Sequence, residues 1–379
     1  MLRRDFLKGA AVMSAAGMVA PVMASAATTD VTTQYSAGGR RRFVMTQAYD
    51  VKPPMGSEGK VKLWIPLPEN TEFQQLNKVE YKGNFDDAYI TMDYSYGAKT
   101  LFVTWADSKK PMNLNVELDI STEDWEPAAS GALKHYRTPT EIRYPEDVQR
   151  YLQPTTHIPT DGIVKTTADK IVGSETDPLK KAHKIYLWVS ENMFRDNDVI
   201  GCGTGDVRTI LESGKLSGKC TDINSVFVAL ARAAGIPARE MFGIRLGRGI
   251  KMGKYSSAFG SADEHNVAKE SGGQHCRAMF FLAGFGWVPV DPADVTKMRL
   301  KEHKEHSAPE VQAVNEYLFG NWEMNWVGFN WARDFTLAPA PEQGALNNFG
   351  YPYAEVDGDP INFYDPKAFA YDYRSTEQL

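Results

Sequence analysis

The sequence predicts an α+β protein in which an antiparallel β-sandwich precedes a helix-and-sheet core. Three observations carry that expectation. Two-residue alternation fills residues 40–125, helix-periodic runs take over after residue 176, and strand-like runs around a tight glycine turn return at 275–291. With 379 residues, 42% hydrophobic and 24% charged, the chain is long enough to bury one large core or two moderate ones. A formal net charge of -6 argues against nucleic-acid binding, which is carried by basic patches that neutralise phosphates. Three cysteines are too few for a disulfide scaffold.

Residues 1–26 read as an export signal. Arg3 and Arg4 open the pattern R-R-x-F-L-K, a weakly apolar run extends from Gly9 to Ala24, and Ala24-Ser25-Ala26 offers the small residues a signal peptidase accepts. The pattern resembles a twin-arginine signal, which implies the twin-arginine translocase as a partner, folding before export and a periplasmic location. Pro21 and the small-residue composition argue against a permanent membrane anchor. Residues 27–39 are then a flexible lead.

Four alternating runs place the sandwich within 40–125: Phe43 to Tyr49, Val61 to Leu67, Leu101 to Trp105, and Met112 to Ile120, whose intervening residues are all polar. Residues 126–175 form a proline-dotted connector with a helix around Ile163 to Val172. At Asp177-Pro178 the residues of an N-cap and first helical position open a helix with one apolar stripe, which begins a core spanning 176–316. Residues 195–219 read as a loop containing Gly201-Cys202-Gly203-Thr204-Gly205. Ile223, Val226, Phe227, Leu230 and Ala231 then recur at helical spacing, with Thr221 or Asp222 able to cap the first turn and Gly235 and Pro237 ending it.

Cys220 therefore sits at a helix N-terminus, where free backbone N–H groups and the positive end of the helix dipole favour a thiolate and can receive the oxyanion of an attacked carbonyl. His275 opens a strand-like run and Asp291 closes the next one across the turn at 283–286, so histidine and aspartate lie on one hairpin.

Gly218-Lys219-Cys220-Thr221-Asp222 with Phe227 to Arg239, His275 before a strand, and Gly286-Trp287-Val288-Pro289-Val290-Asp291-Pro292 resemble, in that order, the three blocks of the transglutaminase-like superfamily. The resemblance covers about residues 175–295. It implies a papain/transglutaminase-like core with Cys220 as nucleophile, His275 as general base and acid, and Asp291 as the group that orients the imidazole. It also implies acyl transfer through a thioester on a peptide, protein or peptidoglycan-like substrate, with no cofactor and no metal. Water as acceptor makes a peptidase or amidase, and an amine makes a transglutaminase. A catalytically inactive binding or scaffold module of the same fold is the alternative. Where relatives often carry small or aromatic residues after the histidine, this chain has Cys276 and Arg277.

Other features receive plainer readings. Gly218-Lys219 fails the phosphate-loop pattern, because position 213 is Ser and position 220 is Cys. Glu302, His303, Glu305 and His306 read as a solvated helical face rather than a metal tract. Cys202 and Cys276 are taken as free thiols, with a disulfide or a Cys202 lock on Cys220 as the alternatives. Residues 247–274, rich in Gly and Ser, read as a disordered insertion or a loop controlling access to the cleft. The aromatic-rich segment 317–379 is expected to pack on the core, with glycan stacking as the alternative.

Overall fold

The computed structural model describes residues 39–379 apart from 55, 363 and 365–368, so the export signal expected at 1–26 and most of the lead expected at 27–39 lie outside the described residues. The chain opens with β1 (Arg41–Asp50), β2 (Val61–Pro66), β3 (Gln74–Gly83), β4 (Asp87–Met92), β5 (Lys99–Trp105) and β6 (Asn113–Thr122). Alternation in sequence becomes alternation in burial: Phe43, Met45, Gln47 and Tyr49 of β1 and Leu114, Val116, Leu118 and Ile120 of β6 all point inward. They meet Val61, Leu63 and Ile65 of β2 and Leu101 and Val103 of β5 in a shared core. Each such aliphatic side chain taken fully out of water contributes roughly 1.5–3 kcal/mol.

Next come α1 (Gly162–Val172), α2 (Pro178–Asn192), β7 (Phe194–Arg195), α3 (Val207–Ser213), β8 (Ser217–Gly218), α4 (Cys220–Ala233), β9 (Ala238–Arg245), β10 (Val267–Lys269), β11 (Gln274–Leu282), β12 (Gly286–Val290), α5 (Pro292–Lys301) and α6 (Pro309–Tyr317). The remaining chain adds β13 (Trp326–Asn330), β14 (Arg333–Phe335), β15 (Leu346–Asn348), β16 (Tyr353–Val356), β17 (Asp359–Pro360) and β18 (Tyr371–Gln378). Among the described residues no helix is long and apolar enough to cross a membrane.

One sandwich sheet has the order β10-β18-β1-β6-β3 and the other β17-β16-β2-β5-β4. Two of the strands that border the opening segment therefore come from the last part of the chain: β18 runs antiparallel to β1 from Arg42 opposite Gln378 to Tyr49 opposite Tyr371, and β16 pairs with β2. Segment 317–379 is also the source of β13, which extends the core sheet β12-β11-β9-β13. Its aromatics are mostly packing, with Trp322, Trp326, Phe329 and Phe349 buried.

α4 lies against that core sheet and is buried from Cys220 to Arg232. A helix enclosed on all sides must satisfy its polar side chains internally. Ser225 donates to Glu240 at 2.6 Å, Asn224 to the Cys276 carbonyl at 2.9 Å, and Arg232 to the Ala238 and Gln153 carbonyls at 2.8 Å. Asp222 caps the helix by accepting from the Lys219 N–H at 2.9 Å.

Three expectations need correction. Residues 195–219 are not all loop, because α3 forms where Asp206 caps a turn with Val207 and Leu211 buried, a helix too short to show periodicity. Segment 247–274 is ordered: the Glu323 carboxylate gathers the N–H groups of Ile250, Lys251 and Met252, and β10 joins β18. The tract Glu302 to His306 is not a helical face. α5 ends at Lys301, His303 turns with φ 52°, and the Glu302 side chain accepts from Ser256.

Candidate active site

Cys220 is the first residue of α4 and is 2% exposed. The glycine-rich loop at 201–205 wraps its helix end. Gly203 and Gly205 have φ of 88° and 64°, and a Cβ on Gly203 would fall 1.9 Å from the Asp222 carboxylate, so only glycine lets the loop pass. Asp222 returns the contact by accepting from the Gly205 N–H at 2.8 Å. The result places Cys202 against the nucleophile candidate, and its carbonyl takes the Thr221 N–H at 2.9 Å.

His275 stands on β11, directly opposite Gly243 of β9. β11 and β12 pair Ala278 with Val290, which puts Asp291 one step beyond the ladder and within diagonal reach of His275. Asp291 then caps α5, its Oδ1 accepting from the Asp294 N–H at 3.1 Å while Oδ2 lies 2.7 Å from His275 Nε2. With Nε2 engaged by the carboxylate, Nδ1 is the ring nitrogen left over, and the imidazole is near enough to Cys220 to help lower its thiol pKa. The structure thus places Cys220, His275 and Asp291 in one buried neighbourhood, with His275 and Asp291 in direct contact. The Trp326 indole, donating to the His275 carbonyl at 2.8 Å, fixes the strand at that point.

The electrostatics favour an ion pair. Hydrogen bonds from Cys202 and then Cys276, with the hydrogen bond and charge of His275, hold the Cys220 thiol well below the ordinary thiol range against the effect of burial. The flanking thiols move the other way, Cys202 through its bond to Cys220 and through burial, Cys276 chiefly through burial. Of the three sulfurs, only Cys220 is shifted toward the thiolate. Burial would lower the His275 pKa, but the charges of Asp294 and Asp291 outweigh it and raise it. The three cysteines are unpaired.

Several supporting groups escaped sequence reasoning. Asp294 lies 3.5 Å from His275 Nε2 and is gripped by both contacts of the Arg245 guanidinium. Arg277 approaches Asp291 at 3.5 Å and stacks over Trp322 and Trp326, which explains a cation directly after the histidine region. The spacing Asp291 to Asp294 is that of a helix-opening capping pair and was a readable signal for Asp294. Arg245 and Tyr351 had none.

The site is closed. A cavity of about 10 Å³ lies beside His275, lined also by Cys276, Phe242, Asn348 and Tyr351. Tyr351 donates to the Cys202 sulfur at 3.1 Å, and Asn347 holds the adjoining segment to the Thr204 carbonyl at 2.7 Å. The cover is thus the stretch from β15 to β16. Of segment 247–274 only Gln274, beside His275, reaches the cavity, which corrects the expectation of an access loop there.

A helix bearing cysteine, packed on an antiparallel sheet bearing histidine, defines a papain-like α+β fold. A family model described as the transglutaminase-like superfamily matches residues 165–292, from α1 to the start of α5. Residues 165–292 are thus similar to the transglutaminase-like superfamily. An uncharacterised protein of Haemophilus influenzae is 61% identical over 334 residues, covering 88% of this chain and 90% of its own. Among solved structures, a candidate cysteine protease from Cytophaga hutchinsonii is similar at TM-score 0.48 and 15% identity, over 68% of this chain and 78% of that one. The periplasmic domain of TgpA from Pseudomonas aeruginosa is similar at TM-score 0.35 and 12% identity, over 75% and 96%.

Proposed function

We propose that the protein is a periplasmic cysteine acyltransferase or hydrolase acting on peptide-type amides through Cys220, His275 and Asp291. The observation that carries this reading is the buried imidazole held 2.7 Å from the Asp291 carboxylate near Cys220, with the thiol pKa lowered and the imidazole pKa raised. The thiolate attacks the amide carbonyl carbon. The C–N bond breaks, the His275 Nδ1 proton passes to the leaving amine, and a thioester on Cys220 remains. Water or an amine then attacks the thioester while His275 takes its proton, and the thiolate is restored. Because the Thr221 N–H already serves the Cys202 carbonyl, the oxyanion falls to the Cys220 N–H of the same helix end. The periplasmic assignment rests on the arginine-led pattern of residues 1–26.

Intact-mass analysis of the protein incubated with periplasmic peptides and an added amine tests this. The expected result is an acyl adduct on wild type and none on Cys220→Ala, with product masses separating hydrolysis from transamidation. Absence of any adduct across peptides that bind would overturn the reading.

One observation favours the second reading, a non-catalytic module: Cys220 is only 2% exposed. On that reading a partner binds equally to wild type and Cys220→Ala and no turnover accompanies it.

A further inference from the structure

Two carboxylates, not one, face the imidazole. Asp291 and Asp294 are both fully buried, and both come from the first turn of α5 and the residue that caps it. Asp294 receives Arg245 from β9, the strand next to β11, and Arg245 itself is 4% exposed with its N–H donating to the Gly273 carbonyl at 3.0 Å, two residues before His275. The Arg245 pair is therefore tied to the histidine strand through backbone and side chain at once.

We propose that Asp294 and Arg245 are positioning residues for the acyl-transfer chemistry, Asp294 standing behind the His275 ring beside Asp291 and Arg245 holding Asp294 in place. This rests on the proposed role of Cys220 and His275. Charge matching supports it. Each carboxylate lies between the imidazole and a guanidinium: Asp291 between His275 at 2.7 Å and Arg277 at 3.5 Å, and Asp294 between His275 at 3.5 Å and Arg245, all buried. An unpaired charge at such depth costs several kcal/mol, so an added carboxylate without Arg245 would disrupt the site and Arg245 without Asp294 would repel the imidazolium. The other groups facing the cluster are Glu270 on the segment after β10, Lys297 on α5 and the Tyr186 hydroxyl on α2. Glu270 is pushed up to about 7 by burial and Lys297 down to about 8 by burial and Arg245. Tyr186 stays neutral, held to the Asn315 carbonyl at 2.9 Å.

The test is the pH dependence of Cys220 ionisation, read from thiolate ultraviolet absorbance as the difference between each protein and its Cys220→Ser counterpart. Wild type is expected to ionise below the usual thiol range. Asp294→Asn is expected to move that transition upward by about one to two pH units, the size of a lost charge contact. Removing both charges in Asp294→Asn with Arg245→Met relieves the unpaired guanidinium, recovers part of the shift and recovers folding, followed by calorimetry. Wild type titrating as an ordinary thiol would sink the catalytic reading itself. A depressed wild-type transition that Asp294→Asn leaves in place, in folded protein, would overturn only the role of the Asp294 and Arg245 pair.

Discussion

His275 with Asp291 and His157 with Asp334 are the same two side chains in the same kind of contact, and they differ in everything around them. The first pair is 5% and 0% exposed, with one ring nitrogen on the carboxylate and the ring near a cysteine whose pKa it helps to lower. The second is 27% and 13% exposed, and both the His157 ring and its backbone N–H are spent on Asp334, the latter at 3.0 Å. One arrangement sits beside a buried cysteine at a helix start, and the other staples the connector before α1 to the tail at β14. A histidine paired with an aspartate is thus only half of a site, and the third partner and the depth of burial decide what the pair does.

Matched substitutions break that comparison most sharply. His275→Ala is expected to slow iodoacetamide labelling of Cys220 near pH 6 by about 100-fold or more, the scale of a lost acid-base partner, and His157→Ala by less than about twofold. Labelling rates followed by intact mass decide it, and equal losses would erase the distinction. Asp334 comes next. Burial opposes its ionisation, but the His157 contact holds its carboxyl down to about 2, below its ordinary 3.8. A depressed acid contributes stability that is complete above the unfolded value and is lost as pH falls from about 4 through about 2. Over that window wild type should lose roughly 2 kcal/mol that Asp334→Asn never had, measured by urea unfolding against pH. The smallest effect concerns the cover. Tyr351→Ala, which removes the ring over Cys202, is expected to speed Cys220 labelling about fivefold while leaving the pH of its ionisation nearly unchanged. A slower rate would show that the ring orders the site rather than shields it.

What the sequence disclosed follows the range of the forces involved. β1, β2, β5 and β6 were legible because each buries one face and wets the other, and α4 because its apolar residues recur at helical spacing. β3 and β4 were not. They lie at sheet edges with few buried positions, so Gln74–Gly83 and Asp87–Met92 carry no clean alternation. The three residues Cys220, His275 and Asp291 stood out because each occupies a locally marked place, a helix start, a strand start and a strand end. Arg245, Cys202 and Tyr351 reach the site only through pairings across distant chain, which no local pattern records. Cys276 and Arg277, which differ from the common pattern, became intelligible once the structure put one against Thr221 and the other over two tryptophans.

The pairing of β18 with β1 carries a consequence for assembly. The first strand to leave the ribosome must wait for residues made more than 300 positions later before its open edge is covered, and Asn348, Gly350 and Tyr351, also made late, line the cavity beside His275. Long-separated partners of this kind slow folding and leave an exposed, sticky intermediate. The catalytic-looking half can therefore gain its finished shape only when the oldest and youngest parts of the polypeptide meet, so losing the last few residues would be felt first at the far end of the molecule's history.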